Sequence, residues 1–418
     1  MKLSAFGEKF AGESGIVALM DDLGEALDEN PDMIFMGGGN PGRVPALERA
    51  FQRQLEAILA DPARRHSLFG AYQSPRGDRH FREQVARFLR RQSGWQLSAD
   101  NIAISNGSQS GFFVLCNLFA GRMPDGSQRT IHLPLSPEYI GYGDLGLMEN
   151  FFSATRPTIE LLDDKLFKYQ VDFTRLHLGD SAGALCVSRP TNPTGNVLTD
   201  AEIAHLDDIA RAGDIPLIID GAYGQPFPDI LFIPAAAHWN DNTILVLSLS
   251  KLGLPGVRTG IIVAHEDIIR AYNNANTIVS LACGNLGPSL TGALFDSGEM
   301  LSLTRDHVTP FYRERARQTL HWLRDKLGDL PYRIHRPEGA FFLWLWFPDL
   351  PITSAELYRR LKRRGVLVVP GHNFFVGLAD DWAHRHQCIR VSYAGDAAAV
   401  QRGVEIIGAE LARVFAAA

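Results

Sequence analysis

Short runs of Ile, Val and Leu alternate with amphipathic stretches through the middle of the chain, and each run is followed by polar residues, Gly or Pro. Strands that are buried on both faces read as continuous apolar runs, so this pattern predicts a mostly parallel sheet covered by helices. The predicted strands are residues 101–105, 130–135, 183–188, 216–220, 243–248 and 259–264, with helices over 109–120 and 200–212.

The last third of the chain has a different rhythm. A long helical pattern begins near Pro310 and runs to Leu327, and a final one covers residues 397–414. Between them the pattern predicts strands and one further helix, which together indicate a second, α+β unit. These strands are residues 341–347, 366–369 and 389–393, and the helix is 354–364.

Charge and composition exclude several classes of protein. The chain has 41 Lys+Arg against 47 Asp+Glu, so it lacks the basic excess of a general nucleic-acid-binding protein. The longest strongly apolar run, residues 341–347, is far shorter than the roughly twenty residues of a spanning helix, so we expect no membrane segment. The cysteines are widely spaced, which predicts free thiols in a reducing cytoplasm and no metal site.

A lysine follows one of the predicted buried strands. Lys251 stands in a segment where burial would be costly for a charged amine without a role. Desolvation lowers the pKa of such an amine and makes it a nucleophile. Ser248, Ser250 and Arg258 around it are suited to holding a phosphate. The alternative is an ordinary solvated loop lysine.

Three further polar residues lie at or just after the ends of two predicted strands that are successive along the chain. Asp220 ends one strand and Tyr223 comes just after it, while Asn192 lies in a proline-flanked turn after another. Ligands of open α/β sheets bind at the carboxyl ends of strands, so these residues and Lys251 are expected to face one crevice. The alternatives are a helix N-cap for Asp220 and an ordinary turn for Asn192.

The turn before helix 109–120 is a candidate anion site. Gly107, Ser108 and Gln109 lead from a strand into the helix. Free N–H groups and the positive end of the helix dipole favour an anion there. A glycine in a strand-to-helix turn is weak evidence alone, and the sequence has neither a dinucleotide fingerprint nor a P-loop at this position.

Together these segments resemble the fold-type I, pyridoxal-phosphate-dependent aminotransferases of class I/II. The resemblance runs from the loop at residues 37–41 to the strand at 389–393. It implies that family's α/β fold, with a large cofactor domain over residues 50–300 and a small domain that combines 1–49 with 301–418. Within the family, the chain most resembles members that exchange an amino group between valine and pyruvate. The stretches that carry this closer resemblance are residues 137–142, 188–197, 248–256, 337–347 and 370–375.

The resemblance implies specific roles around the cofactor ring. Lys251 would form the Schiff base with pyridoxal phosphate and later move the substrate proton. Asp220 would pair with the protonated ring nitrogen, which makes the ring an electron sink. Asn192 and Tyr223 would hydrogen-bond the phenolic oxygen, and Tyr139 would stack on the ring.

The resemblance also implies a phosphate site and a partner. Tyr72 matches the tyrosine that family members lend to the phosphate of the partner subunit, so a homodimer with shared active sites is expected. The phosphate ligands of the same chain would be Gly107, Ser108, Gln109, Ser248, Ser250 and Arg258.

The resemblance also implies which residues recognise the substrate. Arg390 would clamp the α-carboxylate of an amino acid or 2-oxo acid, with Asn192 as a second contact. Gly39 would let the backbone approach the substrate. Ile16, in the segment 14–17, would contact a branched side chain. We can place no second arginine for a dicarboxylate, which favours a neutral amino acid.

Two other readings stay open at this stage. The same fold serves other neutral or aromatic amino-acid aminotransferases and β-eliminating C–S lyases. It also occurs in non-enzymatic regulators that carry an added DNA-binding domain. Here the family-like core begins near residue 30 and no basic helix-turn-helix is evident, which disfavours the regulator.

Overall fold

The computed structural model describes residues 2–12, 15–162, 165–179 and 181–417. The strands are β1 Ile34–Phe35, β2 Ile102–Ser105, β3 Gly121–Arg122, β4 Gln128–Leu133, β5 Phe152–Ala154, β6 Thr158–Leu161, β7 Leu166–Gln170, β8 Ala182–Ser188, β9 Leu217–Asp220, β10 Thr243–Ser248, β11 Gly260–Val263, β12 Arg333–His335, β13 Phe342–Trp346, β14 Val366–Leu367, β15 Val369–Pro370 and β16 Cys388–Ser392.

The α-helices are α1 Ala5–Ala11, α2 Gly15–Glu29, α3 Pro45–Ala60, α4 Pro62–Phe69, α5 Arg79–Ser93, α6 Ser108–Phe119, α7 Asp200–Ala212, α8 Glu266–Ser280, α9 Leu286–Ser297, α10 Glu299–Leu303, α11 Thr309–Leu327, α12 Ser354–Arg363 and α13 Ala397–Ala416. Short 3-10 turns cover Ile140–Tyr142, Ser250–Leu252, Pro255–Val257 and Gly371–Phe374. Within the described ranges, no helix is both long and apolar enough to cross a membrane.

The larger sheet has eight strands and is mostly parallel, which confirms the α/β prediction. Its order is β2-β11-β10-β9-β8-β4-β3, with β5 beside β4. Strands β4, β5, β8, β9 and β10 run parallel, and β11 is antiparallel to both of its neighbours. Successive residues of β8 enter different core clusters, Cys186 on one side and Val187 on the other, so both faces are covered.

The register of the central strands places chemistry at one edge. Ser188 at the end of β8 lies opposite Asp220 at the end of β9, and Asp220 lies opposite Val246 of β10. Parallel strands end at the same edge of the sheet, so Ser248 and the Lys251 turn after β10 follow at that edge. This is the edge at which open α/β sheets bind ligands.

The second sheet has six strands in the order β15-β16-β13-β12-β7-β6. It includes β6 and β7, which come from the middle of the chain and lie within the range that the resemblance gives to the large domain; β12 and β7 are parallel. The division into domains stays a prediction.

The predicted strand 366–369 is two strands. β14 pairs with β1 in a separate two-stranded sheet, through Ile34 opposite Val366. β15 pairs instead with β16, through Val369 opposite Arg390. One apolar run therefore serves two sheets, and the change of partner interrupts it. The β1–β14 pair also ties the loop at residues 37–42 to the C-terminal unit.

The N-terminal helices α1 and α2 were not predicted. The buried residues of α2 are Leu19, Leu23 and Ala26, at the spacing of one helical face. Lys9 of α1 donates to the carbonyl of Met148 at 2.6 Å. Asp22 of α2 accepts a hydrogen bond from Lys362 of α12 at 2.6 Å. The N-terminal segment is therefore bonded both to the loop before β5 and to α12.

Candidate active site

A cleft opens at the edge where β8, β9 and β10 end. The structure brings most of the residues singled out from the sequence into it. Its lining residues are Ser108, Gln109, Phe112, Tyr139, Ser188, Asn192, Asp220, Ala222, Tyr223, Ser248, Ser250, Lys251 and Arg258.

Lys251 lies in the 3-10 turn after β10 and is half-buried. Its Nζ donates to the Gly39 carbonyl at 2.8 Å and lies 5.5 Å from the centre of the Tyr223 ring. Burial lowers the pKa of Lys251 to about 8; the positive charge of Arg390 adds to this effect, while Asp220 opposes it. About a tenth of the amine is therefore neutral and nucleophilic at pH 7, far more than for an unperturbed lysine.

This pKa predicts how fast Lys251 reacts with an aldehyde. We expect its reaction with pyridoxal phosphate, used as an aldehyde probe, to accelerate with pH and to level off above a pH of about 8, where the amine is neutral. Borohydride trapping followed by mass spectrometry of the Lys251 peptide measures this rate. The Lys251→Arg variant gives the background. A rate that keeps rising tenfold per pH unit up to pH about 10 would show an unperturbed amine.

Asp220 forms the floor of the cleft. Its Oδ1 accepts the Ala222 amide at 3.0 Å, and its Oδ2 accepts the Tyr142 hydroxyl at 2.8 Å. Burial raises the pKa of Asp220, whereas these hydrogen bonds and the charge of Lys251 lower it. Such a carboxylate is suited to a cationic partner such as a protonated ring nitrogen. Tyr142, three residues after Tyr139, is a residue of this site with no role predicted from the sequence.

Tyr139 forms one wall of the cleft. Its ring packs edge-to-face on Tyr142, with centroids 5.4 Å apart. A Cβ on Gly141 would lie 2.3 Å from the Tyr139 ring, so this position requires glycine for close approach. Gln109 donates to the Gly141 carbonyl at 2.9 Å and fixes the same turn to α6.

The anion corner of the cleft is built around the start of α6. Gly107 has a φ of 86°, and a Cβ there would come within 2.2 Å of the Arg258 guanidinium. Glycine thus allows the exposed Arg258 to approach the helix N-terminus. Across the corner, the Ser248 hydroxyl accepts the Ser250 amide at 3.1 Å. Amides, hydroxyls and a guanidinium around one point suit a phosphate dianion.

Arg390 lies on β16 and is buried. Nη1 donates to Asn192 Oδ1 at 2.7 Å, and Nη2 donates to the Gly37 carbonyl at 2.6 Å. The guanidinium also lies 4.2 Å from the Phe342 ring and 5.0 Å from the Phe374 ring. Burial lowers the pKa of Arg390 to about 10, so it stays charged at neutral pH. Its Nε is buried without a partner, as expected of a group that completes its bonding with a bound carboxylate.

Five of the residues named from the sequence lie outside the lining of the cleft. Two of them, Gly107 and Arg390, lie against the lining residues Arg258 and Asn192. Gly39 is adjacent, since a Cβ there would lie 3.4 Å from Lys251 Nζ. Ile16 is half-buried on α2 and packs on the main core, and α2 touches the Ile140–Tyr142 turn. Tyr72 is 89% exposed on a loop after α4. Ser14, in the segment proposed for side-chain contact, lies outside the described residues.

Comparison with known proteins agrees with this architecture. Residues 37–407 match the family described as "Aminotransferase class I and II". The chain is 49% identical, over 416 residues, to a valine–pyruvate aminotransferase of Escherichia coli (strain K12), covering 100% of this chain and 99% of that protein.

Solved structures give the same result. The crystal structure of a valine-pyruvate aminotransferase from Salmonella typhimurium LT2 superposes with a TM-score of 0.89 at 46% identity, covering 97% of this chain and 100% of that one. An aspartate aminotransferase from Thermus thermophilus shares the fold, with a TM-score of 0.78 at 20% identity over 98% of this chain and 100% of that one. The chain therefore belongs to the class I and II aminotransferase family.

Proposed function

We propose that this protein binds pyridoxal phosphate at Lys251 and transfers the amino group of L-valine to pyruvate, giving 3-methyl-2-oxobutanoate and L-alanine. The observation that carries the choice of substrates is the 49% identity, over the whole chain, to a valine–pyruvate aminotransferase. We place the reaction in the cytoplasm, because the four cysteines are free thiols, as is typical of reducing compartments.

The residues of the cleft fit the cofactor. Lys251 offers an amine of lowered pKa, and Asp220 offers a carboxylate at the end of a buried strand. The Gly107 turn and Arg258 form a cradle that a Cβ would fill. Bound pyridoxal phosphate supplies an electron sink for the bond that breaks at the substrate Cα. Ser108, Ser248, Ser250 and Arg258 would hold its phosphate, and Tyr139 would face its ring.

Lys251 would also move the proton. When released by the substrate amine, its neutral Nζ would take the proton from the substrate Cα and would return it to carbon C4′ of the cofactor. The lowered pKa keeps the amine competent as a base. Asp220, held by Tyr142 and Ala222, would keep the ring nitrogen protonated by its negative charge. Asn192 and Tyr223 would fix the phenolic oxygen by hydrogen bonds.

Arg390 would bind the α-carboxylate common to amino acids and 2-oxo acids. Its fixed fork can bind a carboxylate through two bonds, which sets orientation as well as charge. Phe342 and Phe374 flank the guanidinium and exclude water from it. Apart from Arg390 and from Arg258 at the anion corner, the described residues that line the cleft include no arginine that could bind a second carboxylate. This supports a neutral side chain, for which Ile16 and Gly39 are the proposed contacts.

A donor and acceptor panel tests the proposal. We expect valine and alanine to be the best donors by kcat/KM, with aspartate and aromatic amino acids at least about tenfold poorer, and pyruvate to be a good acceptor. The 2-oxo acid and ammonia are assayed separately. Ammonia release from cysteine or cystathionine in place of transfer would instead indicate a β-eliminating lyase. A clear preference for aspartate or phenylalanine would indicate a different aminotransferase.

We further infer a homodimer with shared active sites. Ile278 and Val279 at the end of α8 are 88% and 63% exposed, and Leu281 is 58% exposed. This apolar segment adjoins the anion corner, because Gly284 donates to Asn106 Oδ1 at 3.1 Å. An apolar patch beside an active site is typical of a protein interface. Tyr72, which is 89% exposed, is the residue that we propose to enter the partner's anion corner.

Subunit mixing tests the shared site. Lys251→Ala and Tyr72→Ala homodimers are each expected to be impaired, the first fully and the second through weaker cofactor binding. When they are unfolded and refolded together, the mixed dimer has one site with both Lys251 and a partner tyrosine. Cofactor affinity at that site should return to the wild-type value, measured by titration with limiting pyridoxal phosphate. Affinity that remains at the Tyr72→Ala value would place Tyr72 outside the partner's site.

A further inference from the structure

A fully buried acid lies directly behind the cleft. Glu138 is 0% exposed. Its Oε1 accepts the Ser188 amide at 2.8 Å, and its Oε2 accepts both the Tyr139 amide, at 3.3 Å, and the Ser188 hydroxyl. The other buried glutamates in the described part of the chain, Glu338 and Glu410, are each paired with a cation. The hydrogen-bond partners of Glu138 are instead two amides and a hydroxyl.

The position of Glu138 links several parts of the cleft. It precedes Tyr139, the proposed ring-facing residue. Ser188, its main partner, ends β8 in register with Asp220. The Glu138 amide donates to the carbonyl of Phe374 at 2.9 Å, and the Phe374 ring contacts the guanidinium of Arg390. One side chain and its backbone therefore tie together the ring wall, the strand edge and the substrate arginine.

We propose that Glu138 is a positioning residue that acts as a neutral carboxylic acid, fixing Tyr139 and Ser188 around the cofactor ring while leaving Asp220 as the one negative charge beneath it. The inference rests on the proposed function, since it assigns Glu138 to the same cofactor site.

The surroundings favour the neutral form. Burial raises the pKa of Glu138 to about 8; the negative charge of Asp220 adds to this effect, while the hydrogen bonds from Ser188 and Tyr139 oppose it. A protonated carboxyl can accept the Ser188 amide on one oxygen and donate its O–H to the Ser188 hydroxyl with the other. A second carboxylate at this place would repel Asp220 and favour protonation of Asp220, which would weaken its pairing with a ring nitrogen.

Two substitutions separate a neutral acid from a carboxylate. Glu138→Gln keeps the length and the absence of charge. The glutamine side chain can accept the Ser188 amide and donate to the Ser188 hydroxyl, so only the longer bond from the Tyr139 amide is lost. We expect its dissociation constant for pyridoxal phosphate and its kcat to stay within about threefold of wild type. Glu138→Leu keeps most of the volume but none of the bonds. We expect it to weaken cofactor binding about 10- to 100-fold and to lower kcat, with KM for valine little changed.

The measurements are cofactor titration of the cofactor-free protein, followed by the absorbance spectrum of the bound cofactor and steady-state kinetics. Glu410→Gln is the matched control, because it disturbs a buried glutamate bonded to Arg364 at 2.7 Å, away from the cleft. It should lower the melting temperature and leave cofactor affinity unchanged. If Glu138→Leu does not fold, Glu138→Asp makes the same comparison, because the shorter carboxyl cannot span the same partners.

Each outcome decides the matter. Glu138→Gln as impaired as Glu138→Leu or Glu138→Asp would show that the charge is needed and would overturn the neutral acid. A Glu138→Leu or Glu138→Asp protein that matches wild type would overturn the positioning role. Failure of the proposed function is distinguishable, because it appears in the wild-type protein as missing cofactor binding or as a different donor preference, whichever residue occupies position 138.

Discussion

Replacing Lys251 by alanine is expected to reduce amino transfer at least about 10²- to 10⁴-fold, the range that a general acid–base alone contributes. Two roles are lost together. The amine no longer attaches the cofactor, and no other described side chain at the cleft offers a neutral base next to Gly39 and Tyr223. Added pyridoxal phosphate can still bind by its phosphate at the anion corner, so cofactor binding should weaken rather than vanish.

Steady-state kinetics and borohydride trapping measure the two losses separately. In wild type, reduction should add one cofactor to the Lys251 peptide, detected by mass spectrometry; in Lys251→Ala it should add none. Lys362→Ala is the control, because Lys362 is bonded to Asp22 of α2 at 2.6 Å and lies apart from the residues that line the cleft. Wild-type turnover in Lys251→Ala, or trapping at another lysine, would remove Lys251 from its role.

Replacing Arg390 by alanine is expected to raise KM about 10²-fold or more for every amino acid and 2-oxo acid tested. Charged hydrogen bonds contribute about 1.5–3 kcal/mol each, and a bidentate carboxylate loses two of them. The substitution also leaves Asn192 Oδ1 and the Gly37 carbonyl without their donor. The cofactor binds through other residues, so its affinity should change little.

Two further variants sharpen this test. Arg390→Lys keeps a positive charge but lacks the planar fork, so it should recover only part of the loss. Arg333→Ala, on β12 and outside the cleft lining, is the control and should leave KM unchanged. If the KM increase in Arg390→Ala were confined to one substrate, Arg390 would contact the side chain and not the shared carboxylate.

The residues that could be predicted from sequence are those at the ends of apolar strands. Asp220 ends, and Lys251 follows, a short run of Ile, Val and Leu that is typical of a buried strand, and parallel strands end at one edge. That geometry brings them together without any knowledge of loops. Arg390 is harder to predict from the pattern, because it lies inside a strand. Its role is implied by the family resemblance alone.

The remainder depends on local conformation and on backbone atoms. Tyr142 reaches Asp220 because a 3-10 turn begins after Tyr139, and no apolar pattern marks such a turn. The Gly37 carbonyl that holds Arg390 has no side-chain signature. The pairing of β1 with β14 and of β7 with β12 joins distant segments, and a local pattern does not determine which edge a short strand joins.

The burial of Glu138 could not be predicted from the sequence either. An acid before Tyr139 reads as a solvated loop residue, since Glu is almost never fully buried without a partner. Its burial follows from the packing of the 136–142 segment between β8 and the Gly371–Phe374 turn.

The most direct test of the proposed reaction follows the nitrogen atom itself. Purified protein is incubated with ¹⁵N-valine, unlabelled pyruvate and pyridoxal phosphate, and the products are analysed by mass spectrometry. We predict ¹⁵N-alanine and 3-methyl-2-oxobutanoate in equal amounts, no labelled ammonia, and no transfer by Lys251→Ala. Unlabelled alanine, labelled ammonia, or the absence of transfer by a cofactor-loaded wild-type protein would contradict the account.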